Sequence, residues 1–148
     1  YSNQKGSLLI GTTNKSELSV GYGTLYGDLV GGIMPIADLL KGEVYELSQH
    51  YNSESEIIPK AMLTRAPTAE LRANQTDQDT LPPYSELDAA VQRLVEGFHR
   101  PKTEGERRVL SMMMKSEFKR WQAPPVPKVS DHAFGRGRRF PIAHRAGL

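Results

Sequence analysis

The sequence has 148 residues, 38% of them hydrophobic, with a formal net charge of +2; that suits one domain built on one core. It contains no cysteine, which excludes disulfides and thiolate metal sites and suits a reducing compartment. No stretch approaches the roughly 18 apolar residues of a membrane span, and the start, YSNQKGSLLIG, lacks the basic and cleavage regions of a signal peptide.

In chain order, Ser7 to Thr13 reads as a short strand buried on both faces, because Leu8, Leu9 and Ile10 are contiguous rather than alternating. The polar, glycine-punctuated GTTNKSELSVGYGTLYGD follows at residues 11 to 28. In open α/β sheets ligands sit at the carboxyl ends of strands, so this segment is placed like a ligand loop. Ser16 to Val20 can form one or two helical turns. The glycines at 21, 23, 27, 31 and 32 imply an irregular, tightly turned path.

Asp38 to Tyr51 is predicted helical, with Leu40, Val44, Leu47 and Tyr51 on one stripe and Asp38 as N-cap. Pro59 can start a further short turn of helix. Residues 66 to 84, with three prolines and many polar groups, read as a long loop of the kind that often closes over a site. A second long helix is predicted from Ser85, with Asp88 completing a near capping box and Leu87, Val91, Leu94, Val95 and Phe98 forming its apolar stripe. A third opens on the capping box of Thr103 and Glu106 and places Val109, Leu110, Met113 and Phe118 near one face. The Met112 to Met114 triplet on it reads as core filler. APPVP then stops regular structure. A single strand cannot form a sheet. Its partners lie outside this chain or in a segment that resembles a loop, and the first alternative is the better supported by the pattern.

The charge is unevenly spread. Residues 1 to 114 hold eleven Lys/Arg and fifteen Asp/Glu, a balance of −4; from Lys115 onward there are eight against two, a balance of +6. A basic tail on an acidic body suits a phosphate-rich ligand, a nucleic acid or an acidic partner surface, and equally a merely solvated tail. Phe134 and Phe140 interleave with Arg136, Arg138 and Arg139, a pattern usable for single-stranded nucleic acid. No nucleic-acid-binding module accompanies it, so that reading is the lesser one.

No metal-ligand spacing links His50, His99, His132 and His144. There is no GxSxG elbow and no GxxxxGK[ST] loop. Three positions carry more. Glu17, just past the strand end, could hold a hard cation through oxygen, or be an ordinary glutamate at a helix start. Asp28 follows YG and fits a turn as well as a site. Lys41 falls in a first helical turn, where a cation is electrostatically disfavoured and a functional reason is worth seeking.

Taken together, GTTNKSELSVGYGTLYGD, LVGGIMPIADLLKGEVYEL, LTRAPTAELRANQTDQDTLPPYSELD and EFKRWQAPPVPKVSDHAFGRGRRFPI resemble NAD synthetase, specifically the synthetase half of the glutamine-dependent form. The resemblance covers nearly the whole chain. It implies the C-terminal part of a Rossmann-like adenine-nucleotide α-hydrolase fold of the ATP-pyrophosphatase superfamily, α/β in class, with mostly helices and loops in this part. Residues 1 to 123 would belong to the amidating domain, and 124 to 148 would be a basic tail packed on it. It implies ATP and Mg²⁺, adenylation of deamido-NAD, and displacement of AMP by ammonia made from glutamine in a separate nitrilase-like glutaminase domain. It further implies a cytoplasmic enzyme that is at least a homodimer.

By the same resemblance Thr12, Lys41 and Thr68 match ATP-contacting positions. Glu17 matches a glutamate that meets Mg²⁺ in the small enzymes and deamido-NAD in the larger ones. Asp28 of the YGD motif and Lys119 of EFKR match deamido-NAD contacts. Leu25, Gly32 and Phe118 depart from the small ammonia-dependent enzymes and suit the larger ones. The family's phosphate loop, SGG followed by DS, does not occur in this sequence, so the chain alone is expected to be inactive. A related adenylating amidotransferase is the close alternative.

Overall fold

A computed structural model describes residues 1–68, 75–135 and 137–143. Seven α-helices occur among them. They are α1 (Ser2–Lys5), α2 (Lys15–Val20), α3 (Lys41–Tyr51), α4 (Lys60–Thr64), α5 (Tyr84–Val91), α6 (Glu104–Lys115) and α7 (Glu117–Arg120). A 3₁₀ turn spans Asp77–Asp79, and a π-helical turn, Gln92–Glu96, continues α5. Helices α2, α5 and α6 pack on one another. Their shared core holds Leu18, Leu87, Val91, Val95, Val109 and Met113.

Residues 7 to 13 do not form the expected strand. They contribute one parallel bridge, Ile10 to Ile33, supported by the amide of Gly32 donating to the Leu9 carbonyl at 2.8 Å and that of Gly11 to Ile33 at 2.9 Å. The partner lies inside the chain, in the glycine-rich path. There Gly31 has φ +138°, and a Cβ would stand 2.9 Å from the Leu9 carbonyl oxygen; only glycine allows that approach. Burial fails too: Leu8, Leu9 and Ile10 are 65%, 47% and 47% exposed. A contiguous apolar run needs cover on both faces, and among the described residues nothing covers the second.

Helix α3 starts at Lys41, and Asp38 is not its cap. Glu43 reaches back to the Leu40 amide at 2.7 Å, while the next two amides donate to other elements, Lys41 to Ser16 Oγ at 3.0 Å and Gly42 to Asp88 Oδ2 at 2.8 Å. Asp88 therefore caps α3 from a distance instead of closing a capping box on its own helix. The stripe predicted for α5 holds through Val95. Phe98 leaves it, at φ +50° and 52% exposed, because the π-turn shifts the helical register before it. Phe118 is 42% exposed, on α7 rather than on the face of α6. The α6 capping box forms as read, with the Glu106 amide donating to Thr103 Oγ1 at 3.1 Å. The Lys102 amide, then Arg93, hold the Glu106 carboxyl down at about 2.

Asp38 is buried instead, in the one ion pair whose two side chains are both fully inaccessible among the described residues. Lys15 Nζ lies 3.0 Å from its carboxylate. The amides of Val129 and Ser130 donate to Asp38 at 2.8 and 2.7 Å, and the Ser130 hydroxyl donates at 2.8 Å. Lys15 donates also to Ser130 Oγ and to Glu96, each at 2.7 Å. Residues 124 to 135 are thus folded onto the body. Arg120, 4% exposed, does the same nearby. It pairs with Glu117 at 2.7 Å, donates to the carbonyls of Leu18, Ser19 and Met113, and lies 5.0 Å from the centre of the Phe134 ring. Burial lowers its pKa and Glu117 opposes that.

Removing Lys15 while Asp38 stays leaves a buried charge without its cation. In the intact protein, Lys15→Met should cost about 3–5 kcal/mol in chemical denaturation. Burial raises the Asp38 carboxyl, but the Ser130 and Val129 amides and Lys15 outweigh it and leave it below its ordinary value. Its contribution should accordingly be complete at neutral pH and be lost as pH falls through that depressed value. A Lys15→Met protein as stable as wild type at neutral pH would refute the role given to the pair.

Candidate functional site

Helix α2 is only six residues long and is fixed at both ends. At its start Asn14 and Glu17 form a reciprocal capping box: the Glu17 amide donates to Asn14 Oδ1 at 2.9 Å, and the Asn14 amide to Glu17 Oε2 at 3.1 Å. At its end Gly21 adopts φ +67°, where a Cβ would stand 2.3 Å from Ser116 Cβ. Lys15 turns into the core, and Glu17, two residues on, turns away from it. The second oxygen of Glu17 receives Lys41 Nζ at 3.2 Å and the Tyr84 hydroxyl at 3.3 Å.

Beside Glu17 lies a cavity of about 300 Å³, lined by Thr12, Thr13, Glu17, Tyr22, Asp28, Thr68 and Asp77. Four of the six residues singled out in the sequence meet there, three from the segment 11 to 28 and Thr68 from a distant one. Thr12 follows directly on the bridged segment, at the carboxyl end where a ligand loop was expected. Asp28 accepts the Thr24 amide at 2.9 Å, so it closes its turn and faces the cavity at once. Lys41 stands behind Glu17, with the Tyr84 ring 5.1 Å away and the Tyr45 ring 5.9 Å away. Its place at a helix start is offset by that carboxylate.

Lys119 is not brought to the lining. Its ammonium donates to the carbonyls of Gly21 and Gly23 at 2.9 and 2.8 Å, bracing the turn that presents Tyr22.

Tyr22, Asp77 and Tyr84 were missed from the sequence. Asp77 is 3% exposed and accepts the Tyr84 hydroxyl at 2.6 Å. The Tyr22 hydroxyl and Asp77 Oδ1 are buried without a hydrogen-bond partner among the described residues. Burial, with the charge of Asp77 behind it, pushes the Tyr22 phenol up to about 12. Burial, with the carboxylates of Asp77 and Glu17, pushes Tyr84 higher still. Both phenols therefore keep their protons near neutral pH. Residues 69 to 74, part of the loop read over 66 to 84, lie outside the described residues, as do Arg136 and His144.

Among the described tail residues, Arg138, Arg139, Phe134 and Phe140 are used within the fold. Arg138 lies between Phe98 and Phe140, at 4.6 and 4.7 Å from the ring centres, and Arg139 covers Trp121 at 4.5 Å. That leaves less for stacking on bases than the interleaving suggested.

A family model described as NAD synthase matches residues 1–123. The glutamine-dependent NAD(+) synthetase of Synechocystis sp. is 49% identical over 149 aligned positions, which cover 95% of this chain and 27% of that protein. Among solved structures, NMN synthetase from Francisella tularensis is 31% identical with a TM-score of 0.66, over 80% of this chain and 46% of that one. A glutamine-dependent NAD(+) synthetase from Cytophaga hutchinsonii superposes with a TM-score of 0.73 at 23% identity, over 97% of this chain and 25% of that one. The fold is therefore a mostly helical part of the Rossmann-like ATP-pyrophosphatase architecture. The chain spans just over a quarter of the length of the curated relatives it matches.

The bonds of Lys119 predict a stability effect. Lys119→Met in the intact protein should leave two glycine carbonyls short of a donor and cost about 1–3 kcal/mol, read by denaturant titration, with Lys119→Arg closer to wild type. An unchanged midpoint for Lys119→Met would show that water replaces the ammonium without loss.

Proposed function

We propose that this chain, which belongs to the NAD synthase family, forms one wall of the amidation site of a glutamine-dependent NAD synthetase. There ATP adenylates the nicotinate carboxylate of deamido-NAD, and ammonia released from glutamine by a separate glutaminase domain displaces AMP to give NAD. The observation that carries this reading is the meeting of Thr12, Glu17, Asp28 and Thr68 around one cavity, with Lys41 bonded to Glu17. In this reading residues 1 to 123 are the C-terminal part of the amidating domain and 124 to 148 its tail. The enzyme is cytoplasmic and at least dimeric. No helix among the described residues is long and apolar enough to cross a membrane.

Thr12 and Thr68 offer hydroxyls to ATP, and Lys41 offers charge to its phosphates. Asp28 and Glu17 face deamido-NAD. Lys119 reaches that substrate through the ammonium hydrogen its two carbonyl contacts leave over. The phosphate loop SGG…DS is not in this sequence, so the chain acts together with residues that supply it. Mg²⁺ fits the donor set as a site of one or two carboxylates completed by substrate. No group of three ligating side chains occurs among the described residues, and Mg²⁺ is commonly held by one or two carboxylates together with substrate phosphates. Glu17 would hold it, and bound there it would offset the repulsion between two polyanionic substrates. Lys41, on the same carboxylate, helps hold it in place beside the cavity.

Glu17→Gln separates the two roles of this side chain. Glutamine preserves the capping hydrogen bond at the third helical position but removes the charge facing Lys41. In the intact protein it should slow pyrophosphate release from ATP and deamido-NAD by roughly 100-fold, as expected when one preorganised electrostatic group is lost, with melting little changed. Full activity would take Glu17 out of the site, and a large fall in melting temperature would make its role structural.

A further inference from the structure

Asp77 is a buried carboxylate with a fixed address. Its amide donates to the Pro67 carbonyl at 3.0 Å, and its carbonyl accepts the Leu81 amide at 2.8 Å. A carboxylate taken this far from water must be hydrogen-bonded to be tolerated, and its closest partner is a single phenol. The Tyr84 hydroxyl stands between two carboxylates, 2.6 Å from Asp77 Oδ2 and 3.3 Å from Glu17 Oε1. A phenol has one hydrogen, so the shorter contact holds it and the longer one shares it. The Glu17 oxygen that shares it is also the one that meets Lys41 at 3.2 Å. The other Glu17 oxygen is held by the Asn14 amide.

Lys41 pulls one oxygen of Glu17, while the Asn14 amide at the start of α2 holds the other. The ring of Tyr84 also lies 5.1 Å from Lys41 Nζ, so this one side chain touches both members of the ion pair. It is anchored in turn by Asp77, sixty positions along the chain from Glu17.

We infer that Asp77 and Tyr84 are positioning residues for Glu17: Asp77 fixes the Tyr84 hydroxyl, and the hydroxyl fixes the Glu17 oxygen that meets Lys41. The raised phenol of Tyr84 agrees with this, because a hydroxyl that stays protonated remains a donor across the working range of pH. Neither residue needs to touch a reacting atom. The inference rests on the role of Glu17 proposed above.

The test is a double-mutant cycle in the intact protein, using Tyr84→Phe and Glu17→Gln. Phenylalanine keeps the ring beside Lys41 and removes only the hydroxyl. Tyr84→Phe should lower kcat for amidation about 10- to 100-fold, the range for losing a residue that orients a functional side chain, and should change the KM for ATP much less. In the Glu17→Gln background the same substitution should have little further effect, because coupled residues are not additive. Asp77→Asn, which still offers an oxygen to the phenol, should retain most of the activity. Equal losses from Tyr84→Phe in both backgrounds would overturn the inference, as would an unchanged kcat. A complete wild-type enzyme, with the phosphate loop present, that forms no NAD from deamido-NAD would overturn the proposed function instead. The pair is then decided by melting the same four proteins without substrate, where additive shifts refute the contact and non-additive shifts support it.

Discussion

The arrangement depends on the buried pair of Lys15 and Asp38. Both side chains are inaccessible and 3.0 Å apart, and they tie four parts of the chain together: the first turn of α2, the approach to α3, the π-turn through Glu96, and the tail through Val129 and Ser130. Such a pair adds little net stability over an apolar core, because desolvation consumes most of the attraction. It strongly penalises any packing that separates its members. Lys15 can satisfy Asp38 only if α2 turns that edge inward, and Glu17 then emerges on the opposite side. The orientation of the site helix is a consequence of a charge in the core.

A six-residue helix has almost no stability of its own. Helix α2 persists because side chains satisfy both its ends, locally at the start and from a distant part of the chain at the end. Asn14 and Glu17 close its start, and the guanidinium of Arg120 reaches the carbonyls of Leu18 and Ser19 near its end. Phe134 covers that guanidinium from the tail. Glu17 consequently has two simultaneous duties, one oxygen spent on folding and the other on the cavity. The plain reading of a helix-start glutamate and the reading of a ligand residue describe different atoms of one side chain.

Much of this was legible wherever the signal is local or carried by a motif. The Thr103 and Glu106 box announced α6. The segments around Thr12, Glu17, Asp28 and Thr68 indicated a shared site before any coordinates. What the sequence hid is non-local. Asp38 looks like an N-cap because it precedes a helix, and its true partners are 23 positions upstream and more than 90 downstream. Asp88 has the spacing of a capping box, yet it caps a different helix. Asp77 lies in a proline-rich stretch without periodicity, so nothing marked it as buried. The charge asymmetry is partly taken up by the fold: among the described residues Arg120 is in the core, and Arg138 and Arg139 lie on aromatic rings of the same chain. Leu8 to Ile10 were read as buried because contiguous apolar residues imply cover, and among the described residues the cover is one-sided.

The tail holds the site helix in place through Ser130 and Phe134. That role is tested most directly by amide hydrogen exchange on the intact protein and on a version truncated after Pro127, which lacks Ser130 and Phe134. The account predicts that the amides of Leu18 to Val20 lose protection in the truncated protein, while those in the middle of α6, such as Val109 to Met112, remain slow. Unchanged protection across α2 after truncation would contradict it and would reduce the tail to a passenger on a helix that stands without it.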